Sequence, residues 1–256
     1  MKINCNYISK SLERAVDVTF IIPSPSYPDA IGVTKDKYSL TPEAKYPVLY
    51  LLHGIGNNKE GWLGYTRAEL YAEENNIAIV CISAENKFYT DRVGEKWEEF
   101  VREELPQLAC GYFPISGRRE DTYIAGLSMG GYGAVFHALS APGKYAACGS
   151  FSGAIEKVDL TQCIGSAEKY DILSLLKRRA EEGAKLPLFY LSCGENDFIY
   201  DNSVRLEQAM TNLGVAHRWE SVEGFTHEWR FWDMQLERFI KWLPRTDYYK
   251  GKVRNV

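Results

Sequence analysis

The chain has 256 residues, 45% of them hydrophobic and 25% charged, with 30 basic side chains against 34 acidic ones. A formal net charge of −4 argues against nucleic-acid and anionic-membrane surfaces, which need clustered positive charge. Aromatic residues make up 13%, too many for a disordered chain, which lacks the apolar area to offset its entropy.

The first residues, MKINCNYISKSLERAV, hold no apolar core of a secretory signal, and no run reaches the ~20 apolar residues that cross a bilayer. Arg14–Ile22 alternates apolar and polar residues, as a strand with one wet face does. Pro47–His53 (PVLYLLH) and Ile77–Ser83 (IAIVCIS) are continuously apolar, which predicts strands covered on both faces. Thr122–Gly126, Ala146–Phe151 and Leu188–Cys193 read the same way, and His217 starts a further strand. Helical spacing of apolar residues marks Gly64–Glu74, Lys96–Leu108, Gly130–Leu139, Ser203–Leu213 and Phe231–Leu243. Strands alternating with helices predict an α/β fold, a mostly parallel sheet with helices on both faces, in a single domain over 1–256. Residues 154–185 make an unusually long connection with a charged helix at Ile172–Glu182. Such an insertion would rest over the carboxyl ends of the strands like a lid, with Ile164, Ile172, Leu173, Leu175 and Leu176 packed downwards.

Gly126-Leu127-Ser128-Met129-Gly130 is a G-x-S-x-G between a strand and a helix, the context in which a sharp turn lifts a serine hydroxyl above a sheet. A nucleophilic serine needs a base, and the base needs a carboxylate. Of four histidines, His53 ends a strand, His137 lies inside the helix after the serine, and His217 begins a strand. Only His227, in the turn GFTHEW before the last helix, fits the order serine, acid, histidine of the α/β-hydrolase arrangement. Asp197, in GENDFIYD after the Leu188–Cys193 strand, is the acid of choice and Glu195 the fallback. Asp201 reads as the N-cap of the following helix. The two backbone donors for an oxyanion are Met129 N–H and Ile55 N–H, the latter in His53-Gly54-Ile55-Gly56-Asn57. Trp229 is the candidate for stacking on substrate, while Trp232 falls on the apolar stripe of the last helix. Lys177, Arg178 and Arg179 read as a solvated helix face.

HGIGNNKEGW (53–62), GLSMGGYGA (126–134), CGENDF (193–198) and THEWRFWDMQLERFIKWL (226–243) together resemble the esterase D-like branch of the α/β hydrolases. The likeness is greatest to the tributyrin esterase and feruloyl/acetyl-xylan esterase group and covers nearly the whole chain. It implies the α/β-hydrolase fold, with Ser128 as nucleophile, Asp197 as acid, His227 as base, and Ile55 and Met129 as oxyanion-hole residues. The activity it implies is a serine carboxylesterase for short-chain acyl or hydroxycinnamoyl esters, such as those on plant polysaccharide fragments. An S-formylglutathione hydrolase-type thioesterase is the alternative, although HGIGNN replaces the threonine- and cysteine-containing loop of those enzymes. A non-catalytic binding scaffold is a second alternative. No cofactor and no metal is expected, because the six cysteines are scattered with no C-x-x-C pair and no histidine at metal spacing. The expected partner is a small ester, with no nucleic acid or membrane; homo-oligomer formation is left open. The expected location is cytoplasmic.

Overall fold

The computed structural model describes residues 1–33, 39–156, 163–254 and 256. The N-terminal strand β1 (Lys2–Ser9) pairs antiparallel with β2 (Arg14–Ile21), and β2 runs antiparallel to its other neighbour. The short helix α1 (Tyr27–Ala30), strand β3 (Val48–Leu52), helices α2 (Gly61–Tyr65) and α3 (Ala68–Glu74) and strand β4 (Ala78–Ile82) follow. Helices α4 (Trp97–Glu99) and α5 (Leu105–Tyr112) are joined by a π-helical turn over Phe100–Glu104. Strand β5 (Thr122–Leu127), helix α6 (Met129–Ser140), strand β6 (Ala147–Phe151), helices α7 (Ala167–Tyr170) and α8 (Ile172–Glu181) and strand β7 (Leu188–Gly194) come next. Helix α9 (Tyr200–Asn212), strand β8 (His217–Val222) and helix α10 (Trp229–Trp242) complete the chain. The sheet order is β1-β2-β4-β3-β5-β6-β7-β8, parallel from β4 to β8.

Every residue of β3, β4, β5 and β6 is buried, as the continuous apolar runs require. Period two divides each strand between two cores. Val48, Tyr50 and Leu52 face the core that also holds Phe136 of α6, Leu176 of α8 and Met210 of α9. Leu49 and Leu51 face the other, with Trp62, Ala72 of α3, and Leu236 and Phe239 of α10. Burial of each large apolar side chain contributes about 1.5–3 kcal/mol, so the two helix layers hold the sheet from both sides.

Four sequence expectations change. Strand β1 was not foreseen; it is an edge strand, with Ile3, Cys5 and Tyr7 packed on the core between exposed Lys2, Asn4 and Asn6. The 64–74 pattern is two helices, because Thr66 is extended (φ −134°, ψ 172°) and its hydroxyl donates to the Trp62 carbonyl while accepting from Ala68 N–H. Helix α9 begins at Tyr200, so Asp201 lies in its first turn instead of capping it. Helix α8 lies along α6, with Ile172, Leu175 and Leu176 buried and Arg179 Nε donating to the Leu139 carbonyl at the far end. It is therefore the crossover helix between β6 and β7, and Ile164, expected to pack downwards, is 50% exposed. Lys177 and Arg178 are exposed, as expected. What remains of the expected lid precedes α8, and its residues 157–162 lie outside the described residues.

Candidate active site

Strand register brings the chemistry to one level. Leu52 pairs with Gly126, Leu127 with Phe151, Phe151 with Ser192 and Gly194 with Val222. Residues just past these ends therefore share one edge of the sheet: His53 after β3, Ser128 after β5, Ser152 after β6, Asp197 after β7 and His227 after β8.

Ser128 has φ 52° and ψ −117°, a conformation that costs a non-glycine residue about 1–3 kcal/mol. Its surroundings impose the turn. Ser128 N–H donates to the Phe151 carbonyl (2.9 Å), and its carbonyl accepts from Tyr132 N–H (3.1 Å) and Ala154 N–H (3.0 Å). The flanking glycines are required by crowding: a Cβ on Gly126 would lie 2.4 Å from the Gly130 carbonyl, and one on Gly130 would lie 2.3 Å from the Leu52 carbonyl oxygen. A Cβ on Gly54 would lie 3.3 Å from Ser128 Cβ, so the loop after β3 runs directly beside the serine. Met129, side chain buried, is the first residue of α6, where N–H groups have no partner within the helix. Ile55 presents its N–H without a hydrogen-bond partner among the described residues, and its side chain is exposed.

The loops that carry Asp197 and His227 are tied together by their backbones. Glu195 N–H donates to the Val222 carbonyl and Asn196 N–H to the Phe225 carbonyl, both at 3.0 Å. His227 Nδ1 then meets Asp197 at 2.8 and 3.1 Å. A carboxylate only accepts, so Nδ1 carries the proton and Nε2 keeps a lone pair, the tautomer a general base needs. Burial alone would raise the Asp197 carboxyl, but hydrogen bonds from His227, Ile199 N–H and Ser152 outweigh it and hold the group below the usual aspartate value. The fallback acid, Glu195, instead accepts from the Ser221 hydroxyl on the surface. The Ser128 hydroxyl and His227 Nε2 have no partner among the described residues, so the serine–imidazole bond is not closed here. Such bonds are often long until substrate binds.

Trp229 is half-buried, its ring stacked on Tyr65 (centroids 5.0 Å) and edge-on to Trp62 and Trp232. The outermost ring of that cluster is Tyr65, 65% exposed. Trp232 is core, as its place on the stripe predicts, yet it also packs edge-on to His227 (4.8 Å) and donates from Nε1 to the Ser152 hydroxyl. Two neighbours were not foreseen. Ser152, φ 48°, holds Trp232 and contributes to the Asp197 environment. Phe198, largely exposed, sets its ring 4.7 Å from His227; its position beside Asp197 in GENDF was the available signal. Among the described residues no cluster of His, Cys, Asp or Glu could hold a metal ion, and no helix is long and apolar enough to cross a membrane.

A family model for esterases, described as "Putative esterase", matches residues 9–243. An acetyl esterase of Caldicellulosiruptor saccharolyticus is 29% identical over 266 residues, covering 94% of this chain and 97% of that one. Among solved structures, the fluorophosphonate-binding serine hydrolase FphF of Staphylococcus aureus is 25% identical with a TM-score of 0.82, covering 95% of this chain and 98% of its own. The S-formylglutathione hydrolase FrmB of Staphylococcus aureus superposes with a TM-score of 0.80 at 24% identity, with coverages of 95% and 98%. These neighbours share the α/β-hydrolase fold.

Proposed function

Because the chain belongs to this esterase family and is a carboxylic ester hydrolase, we propose that it works through an acyl-enzyme on Ser128 and prefers short-chain acyl esters. The observation that carries this reading is the Asp197–His227 hydrogen bond at the sheet edge where Ser128 stands in its strained turn. His227 Nε2 takes the Ser128 proton as Oγ attacks the ester carbonyl. Ile55 N–H and Met129 N–H donate to the oxyanion of the tetrahedral intermediate, and His227 returns the proton to the departing alcohol. Water, activated by the same imidazole, then releases the acid and frees Ser128. Asp197 stays ionised throughout, holding the ring and balancing its transient charge. The chemistry calls on no metal or organic cofactor.

Acetyl esters are favoured by the likeness to the acetyl esterase, and hydroxycinnamoyl esters by the motif resemblance to the feruloyl and acetyl-xylan group. The thioesterase reading draws on the likeness to FrmB; the motif resemblance, in which HGIGNN is the loop of the tributyrin and feruloyl esterase group, favours the carboxylesterase reading. Mass spectrometry after fluorophosphonate treatment should place the adduct on Ser128, and Ser128→Ala should abolish both labelling and p-nitrophenyl acetate cleavage. Comparison of kcat/KM on acetyl, feruloyl and S-formylglutathione substrates then ranks the readings. A Ser128→Ala enzyme that still turns over would overturn the mechanism.

A further inference from the structure

The loop after β3 that carries Ile55 is gripped by the loop after β4. Four contacts join them. Lys59 N–H donates to the Ser83 hydroxyl (3.1 Å), and Gly56 N–H to Asn86 Oδ1 (2.8 Å). Ala84 N–H donates to His53 Nε2 (2.9 Å), and the Tyr89 hydroxyl donates to the His53 carbonyl (3.0 Å). The third contact fixes a tautomer. A backbone N–H can only donate, so Nε2 accepts and the ring proton sits on Nδ1, which lies 2.7 Å from the Gly54 carbonyl and donates to it. Since C=O and N–H of a trans peptide point in opposite directions, holding the Gly54 carbonyl on one side aims Ile55 N–H to the other. The groups on both sides of that N–H, the Gly54 carbonyl and Gly56 N–H, are thus tied down, and it is left without a partner among the described residues.

Tyr89 is built into this grip at a cost. It and Phe88 have consecutive left-handed φ values of 60° and 54°, each unfavourable for an aromatic residue. Both rings are buried. Helix α6 makes room for the Tyr89 ring at Gly133, where a Cβ would lie 2.5 Å from Tyr89 Cδ2. From the other side, Arg102 Nε donates to His137 Nδ1 (3.0 Å), leaving the His137 proton on Nε2 to donate to the Tyr89 carbonyl (3.1 Å). Packing alone would not require the phenol to end on a carbonyl one residue from the oxyanion loop.

We infer that Tyr89 and Asn86 are positioning residues for the oxyanion donor: acting through the His53 carbonyl and Gly56 N–H, they set the direction of Ile55 N–H. This rests on the serine-esterase reading above. The role predicts a loss confined to the transition state, since ground-state ester binding does not use a developed oxyanion. Removing an oxyanion donor outright costs about 10²–10³ in kcat; misaiming one should cost less.

The test compares Tyr89→Phe and Asn86→Ala with wild type on p-nitrophenyl acetate, alongside binding of an alkyl boronic acid, whose serine adduct places an anionic oxygen in the same hole. The control is Tyr145→Phe, which removes a buried hydroxyl that has no partner among the described residues. The expected result is a kcat about 10-fold lower with KM within about twofold, and boronate affinity reduced by the same factor as kcat. Tyr145→Phe should leave both unchanged. Tyr89→Phe keeps the ring; should it still not fold, the exposed Asn86→Ala variant decides alone. Wild-type kcat and boronate affinity in the folded variants, or a change in KM without one in kcat, would overturn the inference. Failure of the underlying reading looks different, because Ser128→Ala would then bind boronate and turn over like wild type.

Discussion

Two imidazoles stand in loops beyond the carboxyl ends of strands of the same sheet, His53 directly after β3 and His227 between β8 and α10, and their surroundings differ. His53 is wholly buried and spends both nitrogens on backbone groups, Ala84 N–H and the Gly54 carbonyl. Burial pushes it below the usual histidine value, only partly offset by the bond to Gly54. His227 is 18% exposed at its side chain and spends one nitrogen on a buried carboxylate, the other having no partner among the described residues. The residue type is the same; the partners decide whether the ring shapes the backbone or is left with a free nitrogen for the proton transfer proposed above.

The largest effect should come from the open ring. His227→Ala should lower kcat/KM by about four orders of magnitude, and Asp197→Asn by about three, with folding preserved in both. A His227→Ala enzyme that keeps a tenth of its activity would end the comparison. The buried ring should instead register in stability. His53→Phe strands Ala84 N–H and the Gly54 carbonyl, at about 1–3 kcal/mol each. Calorimetry should therefore show a melting temperature lower by about 5–10 °C, whereas His227→Ala should leave it nearly unchanged.

Acid sharpens the contrast further. His53 and His137 are both held neutral, His137 by burial and by Arg102, well below the usual value. Their folded-state values lie below the unfolded one near 6.5, so as pH falls through about 6.5 the unfolded chain takes up protons that the folded chain refuses. Stability should be full above that range and fall below it. Asp197, depressed in the fold, adds a loss in the same direction at lower pH. Melting temperatures from pH 7.5 to 5 should drop steadily, with a shallower slope in His53→Phe. The smallest effect is expected at Trp229. Its ring already packs on Tyr65, Trp62 and Trp232, so Trp229→Phe should shift KM by about threefold at most, less than the roughly 10-fold or more of one methylene in a hydrophobic substrate pocket.

The sequence made the parallel sheet legible because strands covered on both faces are written as unbroken apolar runs, and those runs need no knowledge of their partners. Strand β1 escaped because an edge strand buries one face thinly, and Ile3, Cys5 and Tyr7 among polar residues make a weak pattern. Ser128, Asp197 and His227 were each marked by a local turn motif and by chain order. The roles of His53, Tyr89 and Ser152 were not legible, since each depends on a hydrogen bond to a residue far along the chain or on another strand end. Helix α8 was visible as a helix, but only its contact with α6 shows that it is a crossover rather than a cover.

The strained turn at Ser128 sets enzyme engineering against itself. Glycine adopts φ near 50° without penalty, so Ser128→Gly should raise the melting temperature by about 2–4 °C while removing the hydroxyl proposed above as the nucleophile. On the proposed mechanism, a directed-evolution campaign that rewards heat resistance alone would therefore drift toward discarding the hydroxyl that carries turnover, and each round of screening has to score hydrolysis to keep it.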